Sequence, residues 1–157
     1  MSQAAVEKPD KKELIGDLEF LRKLSTMRVL IVDDQKNMIK TIENMLSSIC
    51  SFKRKGESVM RANDGREALD ILIERRSHVD LVLLDWNMPQ LPGIEVIRTI
   101  RTSEFSSVKD LPVIMITGES RLADVNDALY AGVDNYLLKP FVLDDMRTRM
   151  NPLLRHH

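Results

Sequence analysis

Few features of this 157-residue sequence would commit it to a special class. It has a single cysteine, Cys50, so no internal disulfide can form. Cys50 closes a helical pattern and reads as packing rather than chemistry. Neither sign of charge dominates: 23 Lys and Arg against 24 Asp and Glu leave a net charge of −1. No global field therefore recruits nucleic acid or an anionic membrane. The three basic residues of one loop, Lys53, Arg54 and Lys55 beside Gly56, are too few to argue a nucleic-acid site. No apolar run approaches membrane-spanning length. The start of the chain passes from Ala4, Ala5 and Val6 directly to Glu7, Lys8 and Asp10, without a secretory apolar region, so a cytoplasmic location is expected. No internal repeat is visible, which argues against a solenoid. What remains is ordinary for one globular domain with a real core: 43% hydrophobic and 30% charged residues.

The apolar pattern then divides the chain. A polar lead with Pro9 is followed by helical spacing from Lys11 to Leu24, with Leu14, Leu18, Leu21 and Leu24 expected on one buried face. Such a solitary amphipathic helix must bury its stripe, on its own domain or against a partner or second copy, and the first is the simpler expectation. Beyond residue 27 strands and helices alternate five times. The strands are Arg28–Val32, Val59–Ala62, Leu81–Leu84, Val113–Ile116 and Asn135–Leu138. The helical patterns run over Gln35–Ile49, a stretch through Ala68, Leu69 and Leu72 with Asp64 as N-cap, one through Ile94, Ile97 and Ile100, Arg121–Ala131 stopped by Gly132, and Val142–Leu154 despite Pro152. Arg61 places the second strand near a sheet edge. Alternation of this kind predicts an α/β fold, a doubly wound parallel five-stranded sheet with helices on both faces.

The stretch from Val79 to Pro92 organises the rest. Four apolar residues, Leu81 to Leu84, read as a strand buried on both faces, and the run ends on Asp85. Alone, Asp85 reads as a turn former or helix cap. Three further strands also end in polar residues: Asp33 and Asp34 after the first, Thr117 after the fourth, Lys139 after the fifth. In an open α/β sheet these ends share one edge, where ligands bind. Three converging carboxylates repel one another unless a cation or protons compensate. Hard oxygen ligands suit Mg²⁺. A carboxylate can attack phosphorus to form an aspartyl-phosphate, while a metal, a lysine and hydroxyl or N–H donors carry the phosphoryl charge. No histidine or cysteine is placed as nucleophile: His78 lies at the other end of the third strand, and the closing His156-His157, compatible with a purification-tag remnant, is set aside.

Asp33-Asp34, Asp85, Thr117 and Lys139-Pro140 together resemble the active-site set of the receiver domain of two-component response regulators. The stretches Asp85-Trp86-Asn87-Met88-Pro89, with Gly93, and Tyr136-Leu137-Leu138-Lys139-Pro140-Phe141 are similar to its chemotaxis (CheY-like) type. The resemblance covers residues 28–154, leaving 1–27 as a partly helical extension. It implies a flavodoxin-like sheet order 2-1-3-4-5 and a signalling domain rather than an enzyme, one that phosphorylates and dephosphorylates itself. It implies Asp85 as phosphoacceptor, Mg²⁺ held by Asp34 and Asp85 directly, by Asp33 through water and by the Asn87 backbone carbonyl, and Lys139 paired with the phosphoryl group. Thr117 and Tyr136 would form the switch, altering the face made by the fourth helix, fifth strand and fifth helix of the alternating units. Asn87 and Glu119 would tune dephosphorylation. A cis bond is expected before Pro140.

The expected partners are a chemotaxis-type histidine kinase and a downstream protein such as a flagellar motor switch component, with no nucleic acid and no membrane. The chain is expected as a monomer or weak dimer. With few residues after the last helix, protein–protein output is expected. The alternative is the receiver of a longer transcriptional or enzymatic regulator. A metal-dependent phosphatase with an aspartyl nucleophile is disfavoured, because Asp85 is followed two positions on by Asn87 rather than a second Asp.

Overall fold

A computed structural model describes residues 10–49, 58–75, 78–118 and 122–154; for Leu14 and Leu122 the backbone alone is described. Cys50, the basic loop and Glu119 lie outside the described residues. The elements are α1 (Lys11–Thr26), β1 (Val29–Val32), α2 (Lys36–Ile49), β2 (Val59–Ala62), α3 (Gly65–Glu74), β3 (Leu81–Asp85), α4 (Gly93–Arg101), α5 (Ser106–Lys109), β4 (Val113–Thr117), α6 (Leu122–Ala131), β5 (Asn135–Leu138) and α7 (Leu143–Leu154). The short α5 has no periodic signature and was not expected from the sequence. All strands are parallel, in the order β2-β1-β3-β4-β5, as expected. β2 is at an edge, where the exposed Arg61 pairs with Glu43 of α2.

Strand alternation splits the core in two. Leu30, Val32, Val82, Leu84, Val113 and Met115 face one side, under α3, α4 and α6. Val29, Ile31, Leu81, Leu83, Ile114 and Ile116 face the other, with α1, α2 and α7. β1, β3 and β4 are buried throughout, which is why they read as unbroken apolar runs. The Asp64 carboxylate caps α3, accepting from the Glu67 N–H at 2.8 Å. Gly132, at φ +110, ends α6 in a conformation that favours glycine. α7 continues through Pro152 to Leu154, because Met150 and Leu154 are buried on the sheet and tertiary packing outweighs local propensity.

The face of α1 requires a correction. The side chains that enter the core are Phe20 and Leu24, followed by Met27, with Leu21 packed at the margin. Leu18, expected in the buried stripe, is 62% exposed. Only Met27 and Arg28 separate α1 from β1, and the buried Met27 fixes the rotation at which the helix enters the strand. Phe20, one turn before Leu24, then shares its face and displaces Leu18 outward. Asp17 pairs with Arg147 of α7, the Arg147 guanidinium lies 5.6 Å from the Phe20 ring centre, and Lys23 Nζ donates to the Leu154 carbonyl. α1 covers its own sheet, the simpler of the two sequence expectations.

Candidate functional site

Sheet register assembles the site. Val32 is level with Leu84, so the next residues, Asp33 and Asp85, lie side by side at the carboxyl edge. Asp85 is level with Ile116, one before Thr117, and Thr117 is level with Leu138, one before Lys139. Residues separated by more than a hundred positions thus meet through three ladders. The Thr117 carbonyl accepts from the Lys139 N–H at 2.8 Å, and Lys139-Pro140 is cis, as expected.

Asp33 is 1% exposed and Asp85 4%. Lys139 Nζ lies 3.2 Å from Asp85 Oδ1 and 3.4 Å from Asp33 Oδ2. The other oxygen of Asp33 accepts from the Gln35 N–H at 2.8 Å, which locks the orientation of that carboxylate. Asp34 is exposed, yet its carboxylate stands with those of Asp33 and Asp85 so that one oxygen from each lies within 4.8 Å of the others. One lysine bridges two of these three carboxylates. Burial first, then the Asp33 charge, push the Asp85 carboxyl up to about 6; Lys139 opposes them, and Asp34 adds a smaller upward push. A carboxyl held this far from its ordinary range beside two further carboxylates is a candidate for binding a cation. The all-oxygen donor set suits a hard divalent ion such as Mg²⁺ and disfavours a soft metal.

The loop after Asp85 is held from behind. The Trp86 N–H donates to the Ile116 carbonyl at 2.9 Å and the Gly93 N–H to the Trp86 carbonyl at 3.0 Å. A Cβ on Gly93 would sit 2.8 Å from Trp86 Cε3 and 2.9 Å from both the Asp85 carbonyl and Trp86 Cα. Two of those neighbours are backbone and cannot give way. Gly93→Ala is expected to cost about 1–3 kcal/mol by overpacking and to blunt the response of Trp86 to ligands at Asp85; urea unfolding and Trp fluorescence measure the two effects. Gln90, in the same loop, has φ +68.

The structure therefore brings Asp33, Asp34, Asp85, Thr117 and Lys139 to one edge, with Thr117 1% exposed. Asn87 is exposed in the loop beyond Asp85. Tyr136 lies on β5, half-buried against the α3–α4–α6 side of the core. Three participants were not legible: Gln35, which acts through its backbone N–H, Gly93, which acts by lacking a side chain, and Arg149 of α7, which lies 4.5 Å over the Tyr136 ring. Arg149 carries no sequence signal that separates it from an ordinary solvated charge. Gly93 does carry a sequence signal, as one of the residues of the family resemblance, but the tight space it leaves behind Trp86 exists only in the folded chain.

Comparison with known proteins agrees with this geometry. The profile of the response regulator receiver domain family matches residues 29–151. The chain is 34% identical over 128 residues to a chemotaxis protein CheY homolog of Campylobacter jejuni, spanning 82% of this chain and 92% of that one. It is 40% identical over 129 residues to the response regulator MprA of Mycolicibacterium vanbaalenii, spanning 82% and 51%. Among solved structures it is similar to the Vibrio cholerae chemotaxis protein CheY4, with TM-score 0.66, 28% identity and coverage of 78% and 94%. It is also similar to a two-component system response regulator/GGDEF domain protein, with TM-score 0.77, 25% identity and coverage of 91% and 55%. That 91% is more than residues 28–157 can supply, so the likeness extends into the segment that contains α1. Sheet order, acidic edge and profile match converge: the chain belongs to the response regulator receiver domain family.

Proposed function

We propose that this chain is a phosphate-accepting signalling protein of the chemotaxis type, in which Asp85 receives the phosphoryl group from a phosphohistidine of a kinase. Receiver domains are signalling domains and bind Mg²⁺ at an acidic pocket. Here Asp34, Asp85 and the Asn87 backbone carbonyl would hold the ion directly and Asp33 through water. Bound Mg²⁺ would offset carboxylate charge and the negative charge on the phosphoryl oxygens. The single observation that carries the reading is the buried Asp85 carboxylate, grouped with those of Asp33 and Asp34 and 3.2 Å from Lys139 Nζ.

An Asp85 oxygen forms a bond to phosphorus as the phosphorus–nitrogen bond to the donor histidine breaks, and the bonding pair leaves with the imidazole. Lys139 moves from bridging two carboxylates to facing the phosphoryl oxygens. Thr117 supplies a hydroxyl beside them, and Tyr136 follows it inward. Water attack on phosphorus then restores Asp85, at a rate set by Asn87 and Glu119. Residues 28–154 act as the receiver and 1–27 as its extension, with output through the surface of α6, β5 and α7 to a protein such as a motor switch component.

Trp86, the only tryptophan, adjoins Asp85 and reports the test. Its fluorescence is expected to change with Mg²⁺ and again with beryllofluoride or acetyl phosphate, with one phosphoryl group gained per chain by mass. A second change that persists in Asp85→Asn would overturn the assignment. Protonation of Asp85 competes with the metal, so Mg²⁺ affinity is expected to fall as pH drops through about 6. A titration flat between pH 5 and 8 would contradict it.

The second reading, a receiver within a longer regulator, is favoured by one observation: the chain spans 51% of MprA and 55% of the GGDEF protein. Reading the gene beyond codon 157 separates the two.

A further inference from the structure

Tyr136 is not held by packing alone. The Arg149 guanidinium carbon lies 4.5 Å from the centre of its ring, within cation–π range. Arg149 is itself fixed by one asparagine. Its Nη1 donates to Asn135 Oδ1 at 3.3 Å, and Asn135 Nδ2 donates to the Arg149 carbonyl at 3.0 Å. The same Asn135 Oδ1 accepts from the Tyr136 N–H at 2.9 Å. One side chain thus ties the backbone of β5 at the tyrosine, the backbone of α7 at the arginine and the guanidinium itself. Among the described residues no carboxylate pairs with Arg149, so the aromatic face and the Asn135 oxygen are its partners.

We propose that Arg149 is a positioning residue for the switch: it holds the Tyr136 ring in its resting place and so sets how readily the ring turns when Asp85 is modified. The proposal rests on the reading of Asp85 and Tyr136 given above. The guanidinium contacts the ring in the resting arrangement and loses that contact when the ring turns inward, so it stabilises one state only. A half-exposed contact of this class weights the two ring positions by about two- to fivefold. With the inward position the minor one at rest, linkage carries this factor to the acceptor: removing the contact tightens the apparent binding of a phosphoryl mimic at Asp85 by up to about two- to fivefold.

The chain has two tyrosines, and the other, Tyr130, is 92% exposed. A Tyr130→Phe background therefore leaves Tyr136 as the sole tyrosine, to be labelled as 3-fluorotyrosine and followed by ¹⁹F NMR during titration with beryllofluoride and Mg²⁺. Arg149→Met keeps the aliphatic stem and removes the charge. It is expected to move part of the ring population to the second position before any ligand is added and to lower the beryllofluoride midpoint by about two- to fivefold. Arg149→Lys, which keeps a cation, should restore most of the resting population. A purely structural role would lower the unfolding midpoint and leave ring populations and midpoint unmoved; that result, or Met and Lys variants that titrate alike, overturns the proposal. If the wild-type Tyr136 signal never responds while Trp86 does, the switch role of Tyr136 falls, and the role of Arg149 with it. If neither responds, the assignment of Asp85 falls first.

Discussion

Asp85→Asn is expected to make the protein more stable above pH 6 while ending phosphoryl uptake. The folded-state carboxyl is raised from 3.8 to about 6. For an acid raised on folding, the penalty is absent below the unfolded value, grows between the two, and is complete above the folded value. The separation corresponds to about 3 kcal/mol once the group is fully ionised. Asparagine keeps the shape and removes the charge, and Lys139 retains Asp33 at 3.4 Å. Urea unfolding of both proteins without metal should show a small difference, about 0.5 kcal/mol, at pH 4 and one on the order of 2–3 kcal/mol at pH 8. Adding Mg²⁺ at about a hundred times its dissociation constant should raise the wild type by about 2.7 kcal/mol and close the gap. A variant less stable than wild type at pH 8 would show that Asp85 is a net structural asset. The Asp85 site would then be a salt-bridged core rather than one held under electrostatic stress for chemistry.

The second large effect concerns the extension. Leu24→Ala is expected to destabilise the whole chain by about 3 kcal/mol, within the usual range of 2–5 for a fully buried leucine. Leu18→Ala, on the same helix with its side chain in solvent, should fall within about 0.5 kcal/mol of wild type. Leu24 has no exposed surface and belongs to the buried cluster that includes Val29, Ile31 and Leu81 of the sheet, so its loss opens a cavity in that half of the core. Both proteins should unfold in a single transition if α1 belongs to the cooperative core. Equal, small effects at the two positions, or a separate early transition, would show α1 to be an appendage. The comparison also discriminates between the helix face expected from spacing alone and the face set by Phe20 and Met27.

Much of this molecule is legible in one dimension because its chemistry sits at strand ends. A buried parallel strand announces itself as an unbroken apolar run, and whatever stops the run lies at the edge where ligands bind. Asp33, Asp34, Asp85, Thr117 and Lys139 could therefore be placed together from sequence, as could the alternation that dictates the doubly wound sheet. The interior of α1 could be placed only in part. Spacing put Leu24 in the core, where it is, but it also marked Leu18 and passed over Phe20; the two-residue connection to β1, not periodicity, selects Phe20 over Leu18. Gln35 contributes through its backbone N–H and Gly93 through the space behind Trp86, and neither contribution can be read from a residue pattern. The stacking of Arg149 on Tyr136 joins an α7 charge to a β5 ring across a register that exists only once both have docked. Local order and the identity of the chemical groups are properties of the chain. Which face turns inward, how far the Asp85 carboxyl is displaced, and which cation finds which ring are decided by long-range packing, because burial and charge–charge distance have no value until the strands are side by side.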